Sequence, residues 1–206
     1  MKRIIFVFLL SAIVFTVAQS QVAFGVKGGF TISDMNMDVT PDTVMDQING
    51  YHAGVYFRFG DELFSFQPEI IFVRKGTNIN DENGDWYQKF NMNYIDVPLL
   101  LRISVDLKRT ELYFNFGPYV GYSIGAKASG RNFDDASGNW VEDTDTYEFD
   151  SYIVDRWDAG VVMGAGFRVR MVFFEARFNN GLLNVGQEVY DSSTNKYLNL
   201  SLGVQF

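Results

Sequence analysis

The chain has 206 residues, 47% of them hydrophobic and 17% aromatic, with 20 Phe, 11 Tyr, 3 Trp and no cysteine. Seventeen Lys and Arg against 25 Asp and Glu give a formal charge of −8. The length suits one domain. The acidic balance lacks the basic footprint that nucleic acid needs, and zero Cys excludes disulfides, thiolate metal sites and a cysteine nucleophile.

Lys2 and Arg3 precede an apolar run from Ile4 to Val17, broken only by Ser11 and Thr16, with small residues at Ala18 and Ser20. This is the order of a secretory signal: charged start, apolar stretch, cleavage site. A run of fourteen residues spans only about 21 Å as a helix, short of a hydrocarbon core of roughly 30 Å. Residues 1–20 therefore read as a cleaved signal peptide and 21–206 as the mature domain. The mature chain has 15 basic and 25 acidic residues, a net charge of −10.

Period-2 alternation then dominates, predicting strands in eight segments. Phe24, Val26, Phe30 and Ile32 share one face of the first. Tyr51, Ala53, Val55, Phe57 and Phe59 oppose His52, Tyr56 and Arg58 in the second. Phe64, Phe66, Pro68, Ile70 and Phe72 oppose Gln67 and Glu69. Ile95, Val97, Leu99, Leu101 and Ile103 oppose Tyr94, Asp96 and Arg102. Leu112, Phe114, Phe116, Val120 and Tyr122 oppose Tyr113, Asn115 and Tyr119. Trp157, Val161, Met163, Phe167 and Val169 oppose Arg156, Asp158 and Arg168. Val172, Phe174 and Phe178 oppose Glu175 and Arg177, and Leu198, Leu200, Leu202, Val204 and Phe206 oppose Tyr197 and Asn199.

Connections alternate in length. Short ones fall at 60–62, 106–110 and around Arg170; long polar ones cover 33–49, 76–87, 128–152 and 184–195. Eight antiparallel strands with alternating short and long connections predict an all-β fold: an eight-stranded up-and-down transmembrane β-barrel, both termini periplasmic and long loops outside. Alternating strands also account for the mean hydropathy of −0.04. One face is almost free of charge, as lipid demands. Its exceptions, Arg74 and Asp155, fall near outer strand ends, where a charged head can snorkel. The other face carries Gly and charges of both signs, which suits a narrow lumen better than a ligand pocket.

The last strand ends in Phe206 after Leu202 and Val204, with Asn199 on the opposite parity. A terminal aromatic on an amphipathic strand resembles the signal read by the barrel assembly machinery during insertion.

The mature chain as a whole resembles the PorT-like outer-membrane β-barrel family of Bacteroidetes-type bacteria. The likeness rests on Gly25-Val26-Lys27-Gly28-Gly29, on Phe66-Gln67-Pro68-Glu69-Ile70, and most specifically on Tyr94-Ile95-Asp96-Val97-Pro98-Leu99-Leu100-Leu101-Arg102. Gly117-Pro118-Tyr119 and the spaced glycines of 158–166 add to it. The resemblance implies a barrel in the outer membrane. Most members have no established biochemical role, and the name-giving one is linked to protein secretion.

Lys27, Arg58, Glu69, Asp96, Arg102, Arg156, Asp158, Glu175 and Arg177 are expected to form a lumen charge network, since an unpaired buried charge is costly. Such a network plugs the barrel rather than opening a pore. His52, the only histidine, should face the lumen near the outer rim. No Ser or Asp stands beside it by local spacing, so no catalytic site is expected. Asp143, Asp145, Glu148 and Asp150 in the acidic third long loop are candidate docking residues. Asp81-Glu82-Asn83-Gly84-Asp85 lacks the spacing of a calcium loop and reads as solvated. Trp86 and Tyr152, at strand edges, read as headgroup-level anchors.

The sequence thus points to a structural or binding scaffold with no enzymatic activity, no cofactor and no metal. Its expected surroundings are outer-membrane lipid and lipopolysaccharide, with an extracellular or envelope protein on the loops. Protein secretion or passage of very small solutes is the alternative, and a lipid-modifying enzyme comes third.

Overall fold

The computed structural model describes residues 21–37, 43–81, 86–134, 139–145, 156–183 and 193–206. Residues 1–20 lie outside the described residues. The strands are β1 (Gln21–Met37), β2 (Thr43–Gly60), β3 (Phe64–Asp81), β4 (Trp86–Leu107), β5 (Thr110–Asp134), β6 (Asn139–Asp145), β7 (Trp157–Val169), β8 (Val172–Gly181) and β9 (Ser193–Gln205).

All pairings are antiparallel. The sheet runs β4-β3-β2-β1-β9-β8-β7-β5 and closes through β4–β5, giving a barrel of eight staves. The seam between first and last strands is tight. Gly25 pairs with Gln205, and the Phe206 amide donates to the Phe24 carbonyl at 2.7 Å. Gln21 lies opposite Gly60, so both ends of this domain sit at the end of the short turns.

The eight expected strands are present, most of them longer than their alternation suggested, and β6 is an addition. The lower half of β5 pairs with β7, from Thr110–Val169 to Tyr122–Trp157; its upper half pairs with β6, from Ala128–Asp145 to Asp134–Asn139. Thus β6 and β7 share one edge of β5, and the stave count stays at eight. Much of 33–49, 76–87 and 128–152, read as loop, is paired strand instead. Alternation is imposed by a solvent difference between two faces. Above the membrane both faces meet water, so pairing continues while the pattern fades. The 22 residues of β4 reach about 70 Å at about 3.3 Å each, or about 55 Å along the axis at a tilt near 40°. A hydrocarbon core of about 30 Å leaves the barrel wall standing well clear of the lipid.

The outer surface carries the apolar set: Phe30, Phe57, Ile70, Leu101, Phe114, Met163 and Leu202 are all exposed. The lumen carries the opposite parity. Four of its aromatic side chains find space by a recurring device, in which each lies directly across the ladder from a glycine. Tyr56 faces Gly25, Tyr113 faces Gly166, Tyr119 faces Gly160 and Phe173 faces Gly203. A Cβ at any of these glycines would enter the facing ring, and at Gly203 it would also strike the Val26 carbonyl oxygen. Glycine on one strand is what lets a ring lie flat across the narrow interior.

Gly203→Ala is therefore expected to lower barrel stability by about 1–3 kcal/mol. The check is the temperature at which the fast-migrating folded band disappears on a gel of unboiled protein, which should fall.

Candidate functional site

The lumen is filled by three layers of charge separated by aromatic and aliphatic side chains. The layer at the short-turn end centres on Glu111. Its Oε1 accepts from Arg58 Nη1 at 2.9 Å, Arg102 Nη2 at 2.7 Å and Ser104 Oγ at 2.7 Å, while Oε2 accepts from Arg168 Nε at 2.6 Å. The Arg102 guanidinium also lies 3.4 Å from the centroid of the Tyr113 ring. Tyr113, Tyr56 and Phe173 form the apolar floor above it.

The middle layer joins Lys27, Glu69, Glu175 and Arg177. Arg177 grips Glu69 with both terminal nitrogens at 2.6 Å, a bidentate pair, and Nη2 reaches Glu175 Oε2 at 2.9 Å. Lys27 Nζ donates to Glu69 at 2.7 Å and to Glu175 at 3.2 Å. Gln67 and Asn115 supply further donors, at 2.6 Å to Glu69 and 2.7 Å to Glu175. Gln67 Oε1 accepts from Arg102 at 3.1 Å, tying this layer to the one below. Two cations balance two anions, and all four side chains are at most 1% exposed.

The upper layer is a cage around Lys75. Its ammonium donates to Asp158 Oδ2 at 2.9 Å and Asp96 Oδ2 at 3.2 Å. It lies 4.1, 4.6 and 5.4 Å from the ring centroids of Tyr94, Tyr197 and Tyr119. Tyr197 donates to Asp96 at 2.6 Å, and Asn195 and Tyr119 donate to Asp158 at 2.9 and 3.2 Å. Ring faces and carboxylates together replace the water this ammonium gave up.

Of the residues expected in the network, the fold brings Lys27, Glu69, Glu175 and Arg177 into one layer, Arg58 and Arg102 into a second, and Asp96 and Asp158 into a third. Arg156 is placed elsewhere. It stands exposed just before β7, with Nη1 3.2 Å from the Tyr122 hydroxyl. β7 begins at Trp157, and at Arg156 only the carbonyl still bonds to β5, accepting from the Ser123 amide at 2.8 Å, so the strand no longer fixes the side chain's direction. Two residues central to the network, Lys75 and Glu111, escaped the sequence reading because each lies just beyond the clear alternation. Carrying the odd parity of Gln67 and Glu69 forward would have found Lys75; carrying that of Tyr113 back would have found Glu111.

His52 does face the lumen but lies in mid-barrel rather than at the rim, because β2 continues outward to Thr43. Its Nε2 is 2.8 Å from Ser201 Oγ, a residue 149 positions away, and its Nδ1 is 3.1 Å from Thr31 Oγ1. Thr31 donates its hydroxyl hydrogen to Asn199 Oδ1 at 2.8 Å, which assigns the ring proton to Nδ1 and lets Nε2 accept from Ser201. That polarity matches a serine–base pair. Both partners are nonetheless buried in the packed lumen, where the chain chiefly satisfies polar groups cut off from water.

At the C-terminus Asn199 is buried, while Leu202 and Phe206 are 62% and 67% exposed on the outer face; Val204 pairs with Val26 of β1. Asp143 and Asp145 lie on β6, across from Gly130 and Ala128. Glu148 and Asp150 lie outside the described residues, as do Tyr152 and Asp155. Trp86 opens β4, and Arg74 is half-buried on β3. Among the described residues no three His, Asp or Glu side chains converge as a metal site.

Lys75 is the one cation within ion-pair distance of Asp96 and Asp158 among the described residues. Lys75→Met is expected to cost about 3–5 kcal/mol of stability, because two carboxylates are left without a counter-charge. Urea unfolding from lipid vesicles measures it.

The sequence matches the outer membrane protein beta-barrel domain family over residues 17–187. No curated protein matches it significantly. Among solved structures it is similar to Ail, the attachment invasion locus protein of Yersinia pestis, solved in complex with the heparin analogue sucrose octasulfate. Identity there is 13%, coverage 90% of this chain and 99% of that one, and the TM-score 0.47. Neisserial surface protein A is 10% identical over 89% of this chain and 99% of its own, with a TM-score of 0.49. OprG from Pseudomonas aeruginosa is 12% identical over 91% and 97%, with a TM-score of 0.48. With a family match over most of its length and an apolar belt around a closed eight-stave wall, the chain belongs to the outer membrane protein beta-barrel domain family and resides in the outer membrane.

Proposed function

We propose that this barrel is a non-conducting scaffold whose raised, acidic rim docks a cationic partner outside the cell, the short turns and both termini facing the periplasm after export and signal removal. The observation that carries this reading is the filled lumen. Three layers of buried, mutually bonded charge cross the axis, so the surface available for a partner is the rim rather than the interior. That rim is strongly acidic. Residues 33–49, 76–93, 123–156 and 184–196 contain 17 Asp and Glu against five Lys and Arg. Seven of those acidic residues, Asp34, Asp46, Asp81, Asp134, Glu142, Asp143 and Asp145, lie on strands, so this part of the surface is preordered for a partner and loses little ordering entropy on binding. Lipopolysaccharide packs against the apolar belt in this reading, and the exposed Phe206 and Leu202 are what the assembly machinery engages.

Residues 94–102, the stretch most like PorT-like sequences, favour a second reading in which the barrel serves protein secretion. Retention of exported cargo in a deletion strain would support it, and unchanged export would remove it.

Two outcomes are expected of the scaffold. In a planar bilayer the purified barrel should show no stepwise conductance, and steady ion currents would contradict the plugged lumen. A lysine-rich peptide should bind the intact barrel with an affinity that falls as salt rises. Neutralising Asp143, Asp145, Glu148 and Asp150 to Asn or Gln should weaken that binding severalfold while the folded gel band persists. Binding that ignores both salt and these substitutions would overturn the docking role.

A further inference from the structure

The opposite end of the barrel has the opposite charge. Two hairpin turns, Lys108-Arg109 between β4 and β5 and Arg170-Met171 between β7 and β8, overhang the lumen mouth. Between them is a cavity of about 320 Å³ lined by Asp106, Lys108, Arg109, Glu111, Arg168 and Arg170. Glu111 is already shared by Arg58, Arg102 and Arg168. Counting those arginines, six cations meet two carboxylates there, an excess of four positive charges in a mature chain whose net charge is −10. Asp61 and Glu62, on the third short turn, are exposed and do not line the cavity.

Three of the lining cations are uncommitted. Among the described residues Lys108, Arg109 and Arg170 form no ion pair, so their charge is available to a ligand. The backbone argues in the same direction. Lys108 and Arg170 both adopt φ of 57°, left-handed geometry in which glycine or asparagine is the easier residue. Two turns thus hold a long basic side chain in a conformation that disfavours one, and both face the same cavity. Arg168 stiffens the second turn by donating from Nη1 to the Arg170 carbonyl at 2.7 Å.

We infer that this mouth is a binding site for a multivalent oxyanion of the phosphate-ester class, held by Lys108, Arg109 and Arg170 over the arginine-rich floor. The cavity volume suits a ligand of headgroup size, and arginine forks match phosphate oxygens. The chemistry has two sources: a phosphate compound free in solution, or the headgroup of an anionic phospholipid. Leu107, Val169 and Met171, exposed beside the turns, put lipid within reach of the site. The inference is independent of the acidic rim.

The test uses the full mature barrel in zwitterionic detergent, titrated calorimetrically with pyrophosphate, and the barrel released from phosphatidylcholine vesicles with or without phosphatidylglycerol for native mass spectrometry. The comparison protein carries Lys108→Gln, Arg109→Gln and Arg170→Gln, three turn substitutions expected to leave the folded gel band intact. Saturable pyrophosphate binding that weakens at least tenfold in the variant supports the site with a soluble source. Retention of one phosphatidylglycerol by the wild type and none by the variant supports it with a lipid source. Absence of both, or equal binding by wild type and variant, overturns it. If the triple variant does not insert, Arg170→Gln alone is compared, with at least a threefold loss expected.

Discussion

A charged side chain placed inside an eight-stave barrel has almost nowhere to find water, and every other feature of this molecule follows from how that constraint is met. Eight staves enclose a space that side chains can fill completely. Each inward charge must therefore meet an opposite one across the axis or from a neighbouring stave. The pairings here bridge distant parts of the chain: Lys27 to Glu175 spans 148 residues and Arg177 to Glu69 spans 108. Such bonds form only when the barrel is closed, so they report closure and reinforce it. Their net worth over a well-packed apolar core is small, but losing one partner is expensive. The network therefore holds the barrel to one closed arrangement more than it adds stability.

The aromatic layers meet a different demand. Cations and carboxylates cluster at three heights, and the space around them is closed by Tyr56, Tyr113 and Phe173 below and by Tyr94, Tyr119 and Tyr197, the rings around Lys75, above. Tyrosine suits this role, because its ring fills the gap while its hydroxyl can reach a carboxylate in the adjoining layer, as Tyr197 does with Asp96. Glycines facing Tyr56, Tyr113, Tyr119 and Phe173 supply the room for those four rings. A lumen of this kind is filled by its own side chains, and under the proposed function recognition falls to the two ends: one acidic and partly built from strands that outrun the membrane, one basic and built from short turns.

The sequence disclosed those parts of the fold that a solvent difference writes into it. The lipid-facing and lumen-facing parities of all eight staves were readable because lipid on one side forbids charge, and most network members follow from parity alone. Above the membrane the difference disappears, and with it the signal; the outer half of β5, all of β6 and the cation Lys75 lie in or next to that region. Arg156 shows the converse failure, an alternation extended one residue past the start of β7. His52 shows a third. Its neighbours in sequence offer no serine, and Ser201 reaches it only because β1, β2 and β9 are adjacent in the closed wall. Parity says which face a residue occupies, whereas contact across the lumen depends on stagger and closure, which no local pattern records.

The central claim is that the layers act as coupled charge pairs across a closed barrel. A double-mutant cycle on Glu69 and Arg177 tests it most directly, with Glu69→Gln, Arg177→Met and their combination unfolded by urea from the same lipid. The account predicts a coupling of about 1–3 kcal/mol, the double variant losing much less than the two single losses combined. Additivity within about 0.5 kcal/mol would contradict it, and the lumen charges would then be separately hydrated groups in an interior more open than the one described.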